Sequence, residues 1–179
     1  MAHLHEETLA SQRLYEGKIL NLRRDTVRLE NGSESVREVV EHSGGVCVAA
    51  ITEDGDILLV RQLRYPYGEV VTELPAGKLS PGEDPLEAGK RELLEETGAV
   101  ATTYRDLGKL YPSPGYLNEI IHLYLATELH FEQQQLDEDE FLDVVRMPLD
   151  EAVRLVLAGE IPDAKSQTAI LKAHLLLSR

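Results

Sequence analysis

Hydrophobic and polar positions divide the chain into a strand-rich first third, one sharply bounded helix near the middle, and two helices at the end. Residues 17–30 alternate loosely, Asn31-Gly32 is a hairpin signal, and residues 36–42 read as a second short strand. A hairpin of that size is only marginally stable by itself. Residues 46–52 (VCVAAIT) are an unbroken apolar run that suits a buried strand. Asp54-Gly55 marks a turn, after which residues 57–63 (ILLVRQL) are expected to pair back. Residues 70–74 continue the strand pattern until Pro75-Ala76-Gly77 breaks it.

Residues 84–97 form the clearest helix: Asp84 suits the N-cap, Pro85 the first helical position, and Gly98 the stop. Further strands are expected at 107–111, 120–127 and 144–147, and helices at 149–157 and 163–177. In these last helices Val153, Leu157, Ile170, Leu171 and Leu175 repeat at helical spacing and are expected in the core. Mixed strands with helices on their faces indicate an α/β or α+β sandwich. With 179 residues and no internal repeat or linker-like run, one domain with a small appendage is expected.

Charge narrows the partners. Eighteen Lys and Arg against 32 Asp and Glu leave a net charge of −14, which repels polyphosphate backbones and argues against a nucleic-acid partner. Phosphates bound by such a chain would need a metal ion between. Cys47, the single cysteine, reads as a buried apolar residue and suits a reducing compartment. No apolar run reaches membrane-spanning length, and residues 1–12 have neither a basic start nor an apolar core. The expected location is therefore cytoplasmic, without a membrane partner. The histidines (His3, His5, His42, His122, His130 and His174) show no ligand spacing and read as surface or strand residues.

The chemistry concentrates in residues 77–99, GKLSPGEDPLEAGKRELLEETGA. On a helix, Glu92, Glu95 and Glu96 fall within an arc of roughly 100°, while Leu86 and Leu93 occupy another face. A solvated acidic face is the ordinary reading of such a run. Like charges at this spacing repel, however, and Lys90 and Arg91 are too few to neutralise them. A hard divalent cation would, since Mg²⁺ prefers carboxylate oxygens and brings water and substrate phosphate with it. Gly89, costly inside a helix, points to close approach of a neighbouring element.

This segment resembles the Nudix box, Gly-x5-Glu-x7-Arg-Glu-U-x-Glu-Glu-x-Gly-U, where U is a bulky aliphatic residue. Gly77, Glu83, Arg91, Glu92, Leu93, Glu95, Glu96 and Gly98 stand in register, and the last position is the smaller Ala99. Such a match arises by chance about once in a million chains of this length or less. The resemblance implies a metal-dependent hydrolase of nucleoside diphosphates linked to another moiety, built as a mixed sheet between helices with a small N-terminal antiparallel sheet. It implies Mg²⁺ or Mn²⁺ held by Glu92, Glu95, Glu96 and the Ala76 carbonyl, with Arg91 orienting the glutamates and Glu83 in support.

Three features outside the box resemble the ADP-ribose pyrophosphatase subfamily. They are the PSPG turn in residues 111–119 (YPSPGYLNE), the runs VRQLRYP and TELPAG, and the acidic loop LDEDEF at 136–141. The resemblance implies substrate contacts from Arg61, Arg64, Glu73, Ser113, Pro114, Gly115 and Glu119, and a catalytic base from the loop, either Glu140 or Glu138. It further implies that residues 1–42 form a β-strand subdomain that dimerises the chain, leaving 43–179 as the hydrolase domain. It also implies aromatic or arginine contacts to the adenine from these strands, for which Tyr15, Ile19, Arg23 and Arg37 are the candidates, without individual roles. The expected reaction splits ADP-ribose into AMP and ribose 5-phosphate. A pyrophosphatase for another sugar nucleotide such as GDP-mannose, and a non-catalytic ADP-ribose-binding module, stay open.

Overall fold

The structure is a computed structural model that describes residues 4–138 and 140–178; His3 and Asp139 lie outside them. The chain divides into two compact units. The first runs to Gly44 and takes in Tyr111–Ile120. It contains β1 (Glu7–Glu16), β2 (Asn21–Arg28) and β3 (Glu34–Glu41), an antiparallel sheet in that order. The Asn31-Gly32 turn joins β2 to β3 as expected, with Gly32 at φ 83° and the Ser33 amide donating to Asn31 Oδ1 at 3.0 Å. Strand β1 has no counterpart in the hydropathy pattern. All ten of its residues are exposed, so no face alternates in the sequence. Residues 111–120 run beside β3: the Val40 amide donates to the Tyr116 carbonyl at 2.8 Å and Asn118 N–H to the Val40 carbonyl at 3.1 Å.

The second unit contains β4 (Gly45–Ala50), β5 (Asp56–Arg64), β6 (Glu69–Glu73), β7 (Ala76–Lys78), α1 (Pro85–Thr97), β8 (Ala99–Leu110), β9 (Ile121–Phe131), β10 (Leu142–Pro148), α2 (Leu149–Ala158) and α3 (Ala164–Leu177). Four strands form a mixed sheet in the order β7-β4-β9-β8, with β4 parallel to β9. The other three form an antiparallel sheet, β10-β5-β6. Every residue of β4 is buried because both faces are covered. Val46, Val48 and Ala50 pack with Ala88 and Leu93 of α1. Cys47, Ala49 and Ile51 pack with Ala169, Ile170 and Ala173 of α3. This is the expected α/β arrangement of a mixed sheet between helices.

Two expectations need correcting. The Asp54-Gly55 turn forms, with Gly55 at φ 84°, but β5 does not pair back along β4; one bridge, Ile51 to Ile57, joins them before they enter different sheets. Strand β4 and the first half of β5 are continuous apolar runs, and such runs leave the choice of partner open. Leu157 and Leu175 are 76% and 63% exposed rather than core. Their helices bury Leu149, Ala152 and Val156, and Ser166, Ala169, Ile170 and Ala173, instead. Small residues share that packing face with Leu149, Val156 and Ile170, so residue size alone does not mark it. Cys47 and Ile170 are fully buried as expected, and Val153 and Leu171 are partly so.

Helix α1 starts and stops where the caps place it. Asp84 Oδ1 accepts from the Leu86 and Glu87 amides at 2.9 and 3.2 Å, and Gly98 adopts φ 71° with its N–H on the Leu94 carbonyl at 2.8 Å. A Cβ on Gly89 would stand 3.1 Å from Val46 Cγ2 and 3.2 Å from Val48 Cγ2, so the glycine permits the close approach of α1 to β4. No helix among the described residues is long and apolar enough to cross a membrane.

Candidate active site

The acidic face of α1 is not a solvated one. Glu92 and Glu96 are 8% and 3% exposed, because the chain from Leu74 through β7 crosses over them. The Ala76 amide donates to Glu96 Oε2 at 3.0 Å, so in this arrangement the N–H of that peptide, rather than its carbonyl, makes the contact. A Cβ on Gly77 would lie 1.9 Å from the Glu92 carboxyl carbon. The first glycine of the box therefore leaves the space that the Glu92 carboxyl fills.

Arg91 gathers the remaining carboxylates. It meets Glu83 Oε1 at 3.1 Å, Glu92 Oε1 at 2.8 Å and Glu95 Oε2 at 2.8 Å. Glu83 is itself held by the Ser80 amide at 2.8 Å. Burial lowers the Arg91 guanidinium's affinity for its proton, yet these three carboxylates outweigh it and raise the pKa above normal. Burial pushes the Glu96 carboxyl up to about 8, and the Glu92 and Glu140 charges add to it. Glu92 is raised as well, chiefly by burial, although Arg91 opposes the shift.

The acidic loop reaches this cluster because the chain before it is clamped to the end of α1. The Glu132 amide donates to the Gly98 carbonyl at 2.7 Å, and the Gln135 amide to the Glu95 carbonyl at 3.1 Å. The Gln134 side-chain amide donates to the Glu96 carbonyl. Glu138 and Glu140 are both exposed, and the Glu140 charge is felt at Glu92 and Glu96. Gln134 carried no motif, and only the three-dimensional contact reveals its place.

A second ionic group borders the first. Glu73, nearly fully buried, accepts from Arg64 Nε at 2.6 Å and Nη2 at 2.8 Å, and also from Lys165 Nζ. Lys165 lies 3.0 Å from Asp163, the N-cap of α3. Ser166 donates to Asp163 and accepts from the Leu74 amide at 2.8 Å. The Arg64 charge is among the influences on Glu96, lowering its pKa. Arg61, three residues earlier on β5, leaves from the opposite face and is exposed, beside Thr72 and Asp143 in the flanking strands. The sequence reading missed Lys165, Asp163 and Ser166, which lie in a helix start that showed only a cap. Ser113, Pro114, Gly115 and Glu119 belong to the first unit, where Glu119 pairs with His42 Nδ1 at 3.1 Å.

The residues fit a hard divalent cation. Carboxylates crowded in a buried pocket, with pKa values raised by that burial, need positive charge to ionise together, and their oxygens are the donors Mg²⁺ and Mn²⁺ prefer. Among the described residues no three acidic, His or Cys groups already converge as a shell; Glu92 and Glu95 rest on Arg91 instead.

Comparison with known proteins gives the family. Residues 41–168 match the NUDIX domain, and residues 6–40 match the nucleoside diphosphate sugar hydrolase N-terminal domain. The chain is 43% identical to an ADP-ribose pyrophosphatase of Bacillus subtilis (strain 168), covering 95% of this chain and 93% of that protein. It is 41% identical to a methanol dehydrogenase activator of Bacillus methanolicus, covering 92% and 90%. Its fold matches the crystal structure of an ADP compounds hydrolase with a TM-score of 0.87, at 24% identity, over 99% of this chain and 97% of the other. With the box glutamates in place on a capped helix and the domain matched over most of the chain, this protein belongs to the Nudix hydrolase family.

Proposed function

We propose that this chain hydrolyses the pyrophosphate bond of ADP-ribose, giving AMP and ribose 5-phosphate, with Mg²⁺ or Mn²⁺ as cofactor. The observation that carries this reading is the buried cluster of Glu92 and Glu96 beside Glu95, with Arg91 as the counter-ion of Glu92 and Glu95. The substrate follows the Bacillus subtilis relative, which matches nearly the whole chain.

Glu92, Glu95 and Glu96, with the Ala76 peptide, would hold the metal, which when bound supplies charge neutralisation of the pyrophosphate and activation of water. Arg91 keeps the glutamates oriented and limits their mutual repulsion. Arg64 supplies a guanidinium near the same cluster for a substrate phosphate oxygen. Glu140 accepts the proton of the attacking water. The water oxygen bonds to one phosphorus, the bridging P–O bond breaks, and the departing phosphate keeps its electron pair. Arg61, Ser113, Pro114, Gly115 and Glu119 belong to the same proposal as substrate contacts, and Glu138 as the second candidate for the base.

The protein works in this reading as a cytoplasmic homodimer through its N-terminal sheet. The first unit leaves Leu14, Tyr15, Ile19 and Val36 exposed, apolar surface that a second copy would cover. Light scattering after gel filtration tests the dimer, and a monomer refutes it.

Turnover of ADP-ribose with millimolar Mg²⁺, beside GDP-mannose and an EDTA control, tests the reaction. Metal-dependent release of AMP supports it. Preference for GDP-mannose moves the substrate, and tight ADP-ribose binding without turnover makes the chain a sensor.

A further inference from the structure

We propose that Lys165 is a positioning residue for the substrate's phosphates: through Glu73 it keeps the Arg64 guanidinium turned toward the phosphate-binding side of the site. This rests on the pyrophosphatase reading above. Lys165 sits in the first turn of α3, where the helix dipole disfavours a cation, and its side chain is only 12% exposed. A buried ammonium is costly, and packing alone would be served as well by an apolar side chain. What the lysine has in return is Asp163 at 3.0 Å and a carboxylate oxygen of Glu73.

Glu73 is the joint. Its two oxygens take Nε and Nη2 of Arg64 side-on, which leaves Nη1 for another acceptor. Unlike Lys165 and Glu73, the Arg64 side chain is 38% exposed, so a ligand can reach it. Arg64 also has two further carboxylates within electrostatic range, Asp163, which Lys165 itself engages, and Glu96. By gripping Glu73, Lys165 keeps Arg64 on that partner and leaves Glu96 to the metal. The next residue is held by the same helix start, since the Leu74 amide donates to Ser166 Oγ at 2.8 Å. The end of β6 is thus fixed at two successive residues, one by side chain and one by backbone.

The test compares Lys165→Met, Lys165→Arg and Arg64→Ala, and Lys165→Met in the Arg64→Ala background. KM and kcat for ADP-ribose, Mn²⁺ affinity by electron paramagnetic resonance, and Tm are measured for each. Lys165→Met should raise KM about tenfold, equivalent to about 1.4 kcal/mol, with kcat and Mn²⁺ affinity little changed. Lys165→Arg should recover most of the loss, and Lys165→Met should add almost nothing once Arg64 is gone. Full additivity with Arg64→Ala, or a lower Tm at unchanged KM, overturns the proposal. If Lys165→Met does not fold, Glu73→Gln replaces it and should give the same rise in KM; an unchanged KM overturns the proposal. If the wild-type chain does not turn over ADP-ribose, the substrate reading has failed separately. Calorimetric binding of inorganic pyrophosphate with Mn²⁺ then decides: weaker binding in Lys165→Met supports the positioning role, and equal binding overturns it.

Discussion

Gly77 and Glu92 occupy each other's space: a Cβ on the glycine would lie 1.9 Å from the carboxyl carbon of the glutamate. The atoms that would have to move are the far end of a flexible side chain, so the backbone need not shift. Gly77→Ala should therefore fold with nearly wild-type Tm while displacing the Glu92 carboxyl. Mn²⁺ affinity and turnover should both fall about tenfold or more, on the scale of a disturbed metal-ligand environment. Normal Mn²⁺ affinity in this variant would remove Glu92 from the metal site.

Glu96→Gln removes a charge that the fold disfavours, since burial pushes that carboxyl up to about 8. The metal-free variant should be at least as stable as the wild type near neutral pH. Turnover should fall about a hundredfold or more, since metal stabilisation is worth several kcal/mol and about 1.4 kcal/mol is tenfold. Near-normal turnover at normal stability refutes Glu96 as a ligand.

The two glutamates of the acidic loop separate by their reach. Glu140, whose charge is felt at Glu92 and Glu96, should lower kcat about a hundredfold or more when changed to Gln, with Mn²⁺ affinity retained. Glu138→Gln should stay close to wild type. The reverse pattern in kcat would move the base two residues along the loop.

Acid stability should report on Glu73. Burial opposes its ionisation, but Arg64 and Lys165 prevail and hold its pKa below the ordinary value of 4.5. A carboxylate with a depressed pKa in the folded state stabilises the fold fully above its unfolded value, and this is lost as pH falls through the folded one. Glu73→Gln should accordingly lower Tm at pH 7 and flatten the loss of Tm below about pH 4.5, where the wild type declines. Parallel melting curves for the two proteins across that range would exclude an ionised Glu73 as a stabilising group.

Helix α1 and its chemistry were legible in the sequence because their determinants are local. Asp84, Pro85 and Gly98 bound the helix through contacts within a turn, and the spacing of Glu92, Glu95 and Glu96 sets one face whatever lies beside it. Tertiary structure decided the rest. Strand β1 has no buried face to leave a periodic trace, and β4 and the first half of β5 are apolar on both sides, so their partners had to be chosen by the assembled sheets. Whether Glu92 and Glu96 face water or protein depended on the Ala76-Gly77 backbone crossing them, and Lys165 joined the site from a helix 92 residues beyond Glu73. Caps and periodicity act within a few residues. Strand partners, burial and the raised carboxyl pKa values come from groups far apart in the chain, brought together only by the fold.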